Sequence, residues 1–174
     1  MSKPYKVIIR SLRIPIWDFI YLIFTGLLEK VRLRHQSFFL FDLGVKRALE
    51  GSLDVKVKPS TSVYGDLFES LVILEVFRLN EYSEQDFRLS HFRTKSGFEI
   101  DLILSKGQKH LAIEIKSANK VRAADVESFA KKVGDLPGIS QYYWVSNDPV
   151  KQTIAGIKCI YFRDFLSLLD KKNL

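Results

Sequence analysis

The chain has 174 residues, 47% of them hydrophobic and 13% aromatic, which is typical of one well-packed globular domain and excludes a largely disordered chain. Its formal net charge is +7, and its one cysteine, Cys159, excludes an intramolecular disulfide framework and a cysteine-based zinc cluster. Cysteine usage of this kind agrees with a cytoplasmic location.

The positive charge is concentrated in the first third of the chain. Residues 1–60 contain 11 basic and 5 acidic residues, whereas residues 61–174 contain 16 and 15. We therefore predict a basic extension of helix and strand at 1–60 and a separate domain at 61–174. The extension is the better candidate for docking a polyanion such as nucleic acid, although a modest surplus of this kind also serves solubility alone.

An apolar run at residues 14–28 follows several basic residues and raises the question of a membrane segment. A membrane-spanning helix needs about 20 apolar residues, and this run is shorter and contains Asp18. It also lacks a small-residue cleavage site of the kind that follows a signal peptide. We predict a buried helix, with a hydrophobic partner surface as the alternative, and no membrane association.

The remaining pattern predicts a mixed α/β sheet with helices packed on it. A short strand at 38–42 and a short helix at 43–50 precede a connector at 52–63, and an almost all-round apolar helix covers 65–79. Further predicted strands lie at 89–94, 98–104, 111–115, 141–145 and 157–162, and predicted helices at 123–133 and from a cap at Asp164 through 169.

The predicted strands at 98–104 and 111–115 carry charged residues. An inner strand of a sheet would fold more easily if these positions were apolar. Side chains alternate across a strand, so aligning the aliphatic faces places Leu104 opposite Leu111. Asp101 then lies opposite Glu114, and Glu99 lies opposite Lys116.

Carboxylates that face each other across a strand pair repel, at a cost of up to about 1 kcal/mol on a surface and more when desolvated. A divalent cation would compensate, because Mg²⁺ commonly takes one or two carboxylates plus water and phosphate oxygens. Lys116 would place a positive charge in the same pocket. The alternative is an ordinary solvated face, but Glu69, embedded in the apolar helix, favours a site.

The set of Glu69 on a helix, Asp101 on a strand and Glu114-Ile115-Lys116 on the next strand resembles the PD-(D/E)xK nuclease superfamily, which has the restriction-endonuclease-like fold. More narrowly, four segments together resemble the uncharacterised C-terminal domain of AAA-type ATP-binding proteins: Phe39–Gly44, Gly65–Glu69, Phe92–Asp101 and Ile113–Ser117. The likeness covers about residues 20 to 170.

The resemblance implies a restriction-endonuclease-like mixed sheet and phosphodiester hydrolysis on DNA with Mg²⁺ or Mn²⁺. It assigns metal ligation to Asp101 and Glu114, with Glu69 completing or supporting the site, and a catalytic role to Lys116. Ser117 and Glu99 become supporting candidates. Basic residues near the strand ends are candidates for holding the nucleic-acid backbone or are merely solvated: Arg93, Lys95, Lys120 and Arg122.

The sequence departs from these families in two ways. Ile100 occupies the position of the superfamily's nominal proline, and no phosphate-binding loop of the GxxxxGK[ST] type occurs in the sequence. Either this is a piece of such a protein or its ATPase module is absent, in which case a separate chain could supply it. Two alternatives to a nuclease remain: a catalytically silent module that binds nucleic acid or a protein partner, and a structural fragment whose carboxylates only neutralise Lys116.

Overall fold

The computed structural model describes residues 10–11, 42–94, 97–134, 136 and 138–171. In chain order the elements are β1 Arg10–Ser11, α1 Leu43–Leu49, α2 Ser62–Tyr82, β2 Arg88–Arg93, β3 Glu99–Lys106, β4 Lys109–Lys116, α3 Ala123–Val133, β5 Gln141–Ser146, β6 Gln152–Ile154, β7 Ile157–Tyr161 and α4 Phe162–Asp170.

These strands form one mixed sheet in the order β1-β2-β3-β4-β5-β7-β6. The pairs from β1 to β4 are antiparallel, β4 pairs with β5 and β5 with β7 in parallel, and β6 returns antiparallel to β7. The predicted mixed α/β sheet flanked by helices is confirmed.

Alternation along the central strands divides the core between the two faces of the sheet. On one face Leu104, Leu111 and Val145 pack with α2 and α4. On the other face Ala112 and Trp144 pack with α3. Because both faces are covered, polar side chains on β3 and β4 are buried unless they lie near a strand end.

Helix α2 is apolar on most sides, as the sequence predicts, and packs against the sheet and α4. It begins at Ser62, three residues before the predicted start, because the Thr61 side chain accepts a hydrogen bond from the Tyr64 backbone N–H at 3.2 Å. Glu69 lies in this helix next to the buried Phe68 and Ser70.

Two details near the C-terminus differ from the sequence prediction. Helix α4 begins at Phe162, and Asp164 lies in its first turn while Tyr161 occupies the N-cap without a side-chain capping bond. The short strand β6 was not predicted, since three residues are too few to show a period. It joins β7 through Ala155 and Gly156, both with positive φ.

Part of the N-terminal prediction lies outside the described residues, namely the apolar run at 14–28 and the strand residues at 38–41. The short helix at 43–50 is confirmed as α1, whereas the domain boundary after residue 60 stays a prediction. Among the residues described, none of the helices combines the length and apolarity needed to cross a membrane.

Asn80 connects the end of α2 to the segment directly before β2, and this connection helps to hold α2 in position on the sheet. Its side chain accepts from the Phe87 N–H at 2.9 Å and donates to the Phe87 carbonyl at 3.0 Å, and both residues are buried. We expect Asn80→Ala to lower the free energy of unfolding by about 2 to 4 kcal/mol, because it leaves both backbone groups unpaired. Urea denaturation measures this, and Tyr82→Ala, at a position 83% exposed, should change it little.

Candidate active site

The site lies where the β3–β4 hairpin opens. The ladder has the predicted register, with Leu104 opposite Leu111, and ends at Leu102 and Ile113, one pair short of the predicted Asp101–Glu114 pair. Beyond the last ladder pair, the Asp101 side chain makes the contact between the two strands, because its Oδ2 accepts a hydrogen bond from the Ile115 N–H at 2.7 Å. A carboxylate is thus held between the two strands.

Lys116 joins this carboxylate to that of Glu114. Its Nζ lies 2.6 Å from Glu114 Oε1 and 3.6 Å from Asp101 Oδ2, so the three predicted side chains do share one face. The side chains of Asp101 and Glu114 are only 9% and 12% exposed, whereas that of Lys116 is 44% exposed. The anions are therefore buried, while the ammonium stem reaches toward solvent.

Negative charge exceeds positive charge in this cluster. Burial, then the charge of Asp101, raises the pKa of Glu114 to about 7. Burial and Asp101 likewise raise the pKa of Glu69 to about 7, which places Glu69 within electrostatic range of the hairpin. One ammonium does not neutralise this many carboxylates, so the cluster retains protons near neutral pH.

The remaining two pKa shifts follow from the same arrangement. Burial raises the pKa of Asp101 despite the opposing effects of Lys116 and the Ile115 N–H. Burial opposes the charge on Lys116, but Asp101 and Glu114 outweigh it and raise the pKa of its ammonium. Lys116 is therefore a firmly charged counterion at neutral pH.

The donor set fits a hard divalent cation. Glu114 Oε2 is buried and has no hydrogen-bond partner among the described residues, a costly state that a cation would relieve. Within the described ranges, no group of three or more His, Cys, Asp and Glu side chains is arranged to hold a metal. Asp101 and Glu114 thus offer a site of two carboxylates, a number that Mg²⁺ accepts when water and phosphate complete its shell. Glu69 interacts with these two carboxylates electrostatically.

Two cavities meet at Lys116. The first, of about 410 Å³, contains Asp101 and Glu114 together with Phe98, Ser128 and Lys132 on its walls. The second, of about 300 Å³, is lined by Lys116 together with residues that include Tyr64, Ser117 and Asn119. A ligand can therefore reach Lys116 from either cavity.

The basic residues proposed to hold a nucleic-acid backbone have mixed positions. Arg93 Nε lies 2.8 Å from Glu99 Oε1, and Arg122 Nε lies 3.7 Å from Asp125 Oδ2. These arginines neutralise two carboxylates that line the first cavity. Lys120 is exposed, and Lys95 lies outside the described residues.

Sequence reasoning missed the wall that α3 contributes. Asp125, Ser128 and Lys132 line the first cavity, while Val126, Phe129 and Val133 of the same helix are buried. The spacing of i, i+3 and i+7 along an amphipathic helix is the signal that would have grouped these polar residues on one face.

It also missed Asn147, which lies directly after β5. Its Nδ2 donates to the Tyr64 hydroxyl at 3.2 Å and to the Ser117 carbonyl at 3.3 Å. Because β4 and β5 are parallel, their carboxyl ends meet at one edge of the sheet, and that topology was the missing information.

One family model matches this chain, over residues 64–165, and its description is a domain of unknown function, DUF4143. The chain belongs to the DUF4143 family. The matched DUF4143 region contains all four predicted site residues, Glu69, Asp101, Glu114 and Lys116. It also contains Tyr64 and Phe98, two of the aromatic residues that line the cavities. No curated protein matches the chain.

The raised carboxyl pKa values predict an unusual pH dependence of stability. Glu114 has an ordinary pKa of 4.5, and its folded value is about 7, so its protonation stabilises the fold fully below 4.5. This contribution is lost as the pH rises through about 7. Without metal, we expect Glu114→Gln to become progressively more stable than the wild type across this window.

Thermal melts of both proteins in a chelator, over a series of pH values, measure the difference. A constant gap in melting temperature across the window would contradict the prediction. Glu127→Gln, an exposed position on α3, is the matched control.

Proposed function

We propose that this domain is a metal-dependent phosphodiesterase that acts on DNA as an endonuclease. Asp101 and Glu114 would hold Mg²⁺ or Mn²⁺, with Glu69 in support. The observation that carries the proposal is the buried, unpartnered Glu114 Oε2 beside a second buried carboxylate, in a cavity open to solvent. The resemblance to PD-(D/E)xK nucleases supports it, and one buried free thiol suits a cytoplasmic protein.

The bound cation would supply an activated water and neutralise charge on the phosphate. Lys116 lines both cavities and shares the first with the carboxylates, so its ammonium can donate to a phosphate oxygen on which charge develops. Glu69, with a pKa of about 7, can accept a proton on its carboxylate near neutral pH. The hydrogen bond from the Ile115 N–H holds the Asp101 carboxylate in position.

A catalytically silent binding module is the second candidate. It is favoured by the lack, within the described part of the chain, of a metal-binding group of three or more side chains. Because the chain resembles the C-terminal domain of AAA-type ATP-binding proteins, the partner of such a binding module would be an ATPase on a separate chain. In that case the carboxylates would serve mainly as counterions for Lys116.

Metal binding and cleavage together separate these two candidates. We expect calorimetry to show Mg²⁺ and Mn²⁺ binding to the wild type and to Glu127→Gln, and no binding to Asp101→Asn. Plasmid nicking on the same samples should follow the same pattern. Two results would contradict the proposed nuclease activity. One is a wild-type protein that binds no metal at millimolar concentration, and the other is equal cleavage by the wild type and Asp101→Asn.

Replacing Lys116 tests its role apart from that of the ligands. Lys116→Met removes the ammonium that competes for Glu114 Oε1, so we expect divalent-cation affinity to rise. Cleavage should nevertheless fall by about 10² to 10³, the typical loss for one group that stabilises transition-state charge. Calorimetry and single-turnover nicking measure the two effects, and a variant with unchanged cleavage would remove Lys116 from the mechanism.

A further inference from the structure

The two cavities on either side of Lys116 have a consequence for the substrate. We infer that the site takes an unpaired nucleic-acid strand, with the nucleotides that flank the reacting phosphate seated one in each cavity. The inference rests on the proposed phosphodiesterase and goes beyond it by naming the form of the substrate.

Cavity size favours single nucleotides. The volumes of about 410 and 300 Å³ lie at the lower end of ligand pockets, which span roughly 300 to 1,000 Å³. A base that enters such a pocket must leave its pairing partner, and that step costs least when the strand is already single. Lys116 borders both cavities, so a phosphate at its ammonium would have one neighbouring nucleotide on each side.

Phe98 provides a stacking surface in the first cavity. Its ring is braced by Phe92 at a centroid distance of 6.1 Å and by Phe129 at 6.3 Å, and it remains partly exposed. Its backbone is tied to Thr94, since the Phe98 N–H donates to Thr94 Oγ1 at 3.0 Å. A fixed, partly exposed ring can stack any base, because every base has a π face.

Tyr64 has the matching position in the second cavity. Its hydroxyl accepts from Asn147 Nδ2 at 3.2 Å, and the same amide donates to the carbonyl of Ser117, which directly follows Lys116. The ring is therefore held at a fixed place next to the lysine. Each cavity beside Lys116 thus contains at least one oriented aromatic ring.

Two of the four carboxylates that line the first cavity are paired with arginine. Glu99 and Asp125 each have an arginine partner, which reduces their repulsion of phosphate. Lys132 adds a cation at the wall, with its Nζ 5.9 Å from the centre of the Phe98 ring. A nucleotide stacked on Phe98 would have this ammonium within its neighbourhood.

Fluorescence anisotropy in metal-free buffer at fixed salt tests the inference. The probes are a fluorescein-labelled oligothymidylate and the same strand annealed to oligodeoxyadenylate. We expect the single strand to bind about tenfold more tightly than the duplex. Phe98→Leu and Tyr64→Leu should each lose about tenfold of the single-strand affinity, as expected for one base–aromatic stack.

Phe98→Tyr keeps the ring and is the matched control, with affinity within about twofold of wild type. Tyr64→Phe keeps a ring but loses the hydrogen bond from Asn147, so its affinity should lie between those of wild type and Tyr64→Leu. Circular dichroism melts ensure that every variant compared is folded. Equal or tighter binding of the duplex, or unchanged affinity in both leucine variants, would overturn the inference.

Plasmid nicking by the same protein preparations, after Mg²⁺ or Mn²⁺ is added, separates this inference from the nuclease proposal. Ring-dependent single-strand binding without any cleavage would support the inference and remove the nuclease. Cleavage that requires Asp101 but shows no preference for unpaired strands and no dependence on either ring would retain the nuclease and overturn the inference.

Discussion

The buried excess of negative charge at the open end of the β3–β4 hairpin is the constraint on which the site depends. Asp101 and Glu114 are almost fully enclosed, Glu69 adds its field from α2, and Lys116 is the cation that opposes them directly. Such an arrangement is costly for a merely structural core, since apolar residues of similar volume would be at least as stable. This cost supports the proposal that the cluster binds a cation or phosphate.

The fold and the hairpin were largely predictable from the sequence, because each depends on a period. Alternation of aliphatic side chains fixed the register at Leu104 and Leu111, and with it the shared face of Asp101, Glu114 and Lys116. Alternation does not predict where the hydrogen-bonded pairing of β3 and β4 ends. The Asp101 carboxylate replaces the next ladder bond to Ile115, and this is a tertiary outcome of strand divergence.

The surroundings of the site were less predictable, since they depend on how distant elements meet. The wall from α3 and the contact between Asn147 and Tyr64 require the parallel order of β4 and β5 across the sheet. Membership of the DUF4143 family carries no functional description, and a fold supports many chemistries. The proposed function therefore rests on the charges and cavities, and sequence patterns indicate the geometry of these only in part.

Lys116 also affects the state of the proposed metal site when no ion is bound. In many small metal-binding domains the ion is needed for folding, because the ligands repel until it arrives. Here the chain carries its own cation into the cluster, 2.6 Å from Glu114. If the proposed metal site is correct, the domain would stay folded without its ion, and binding of a divalent ion would replace one positive charge beside Glu114 with another.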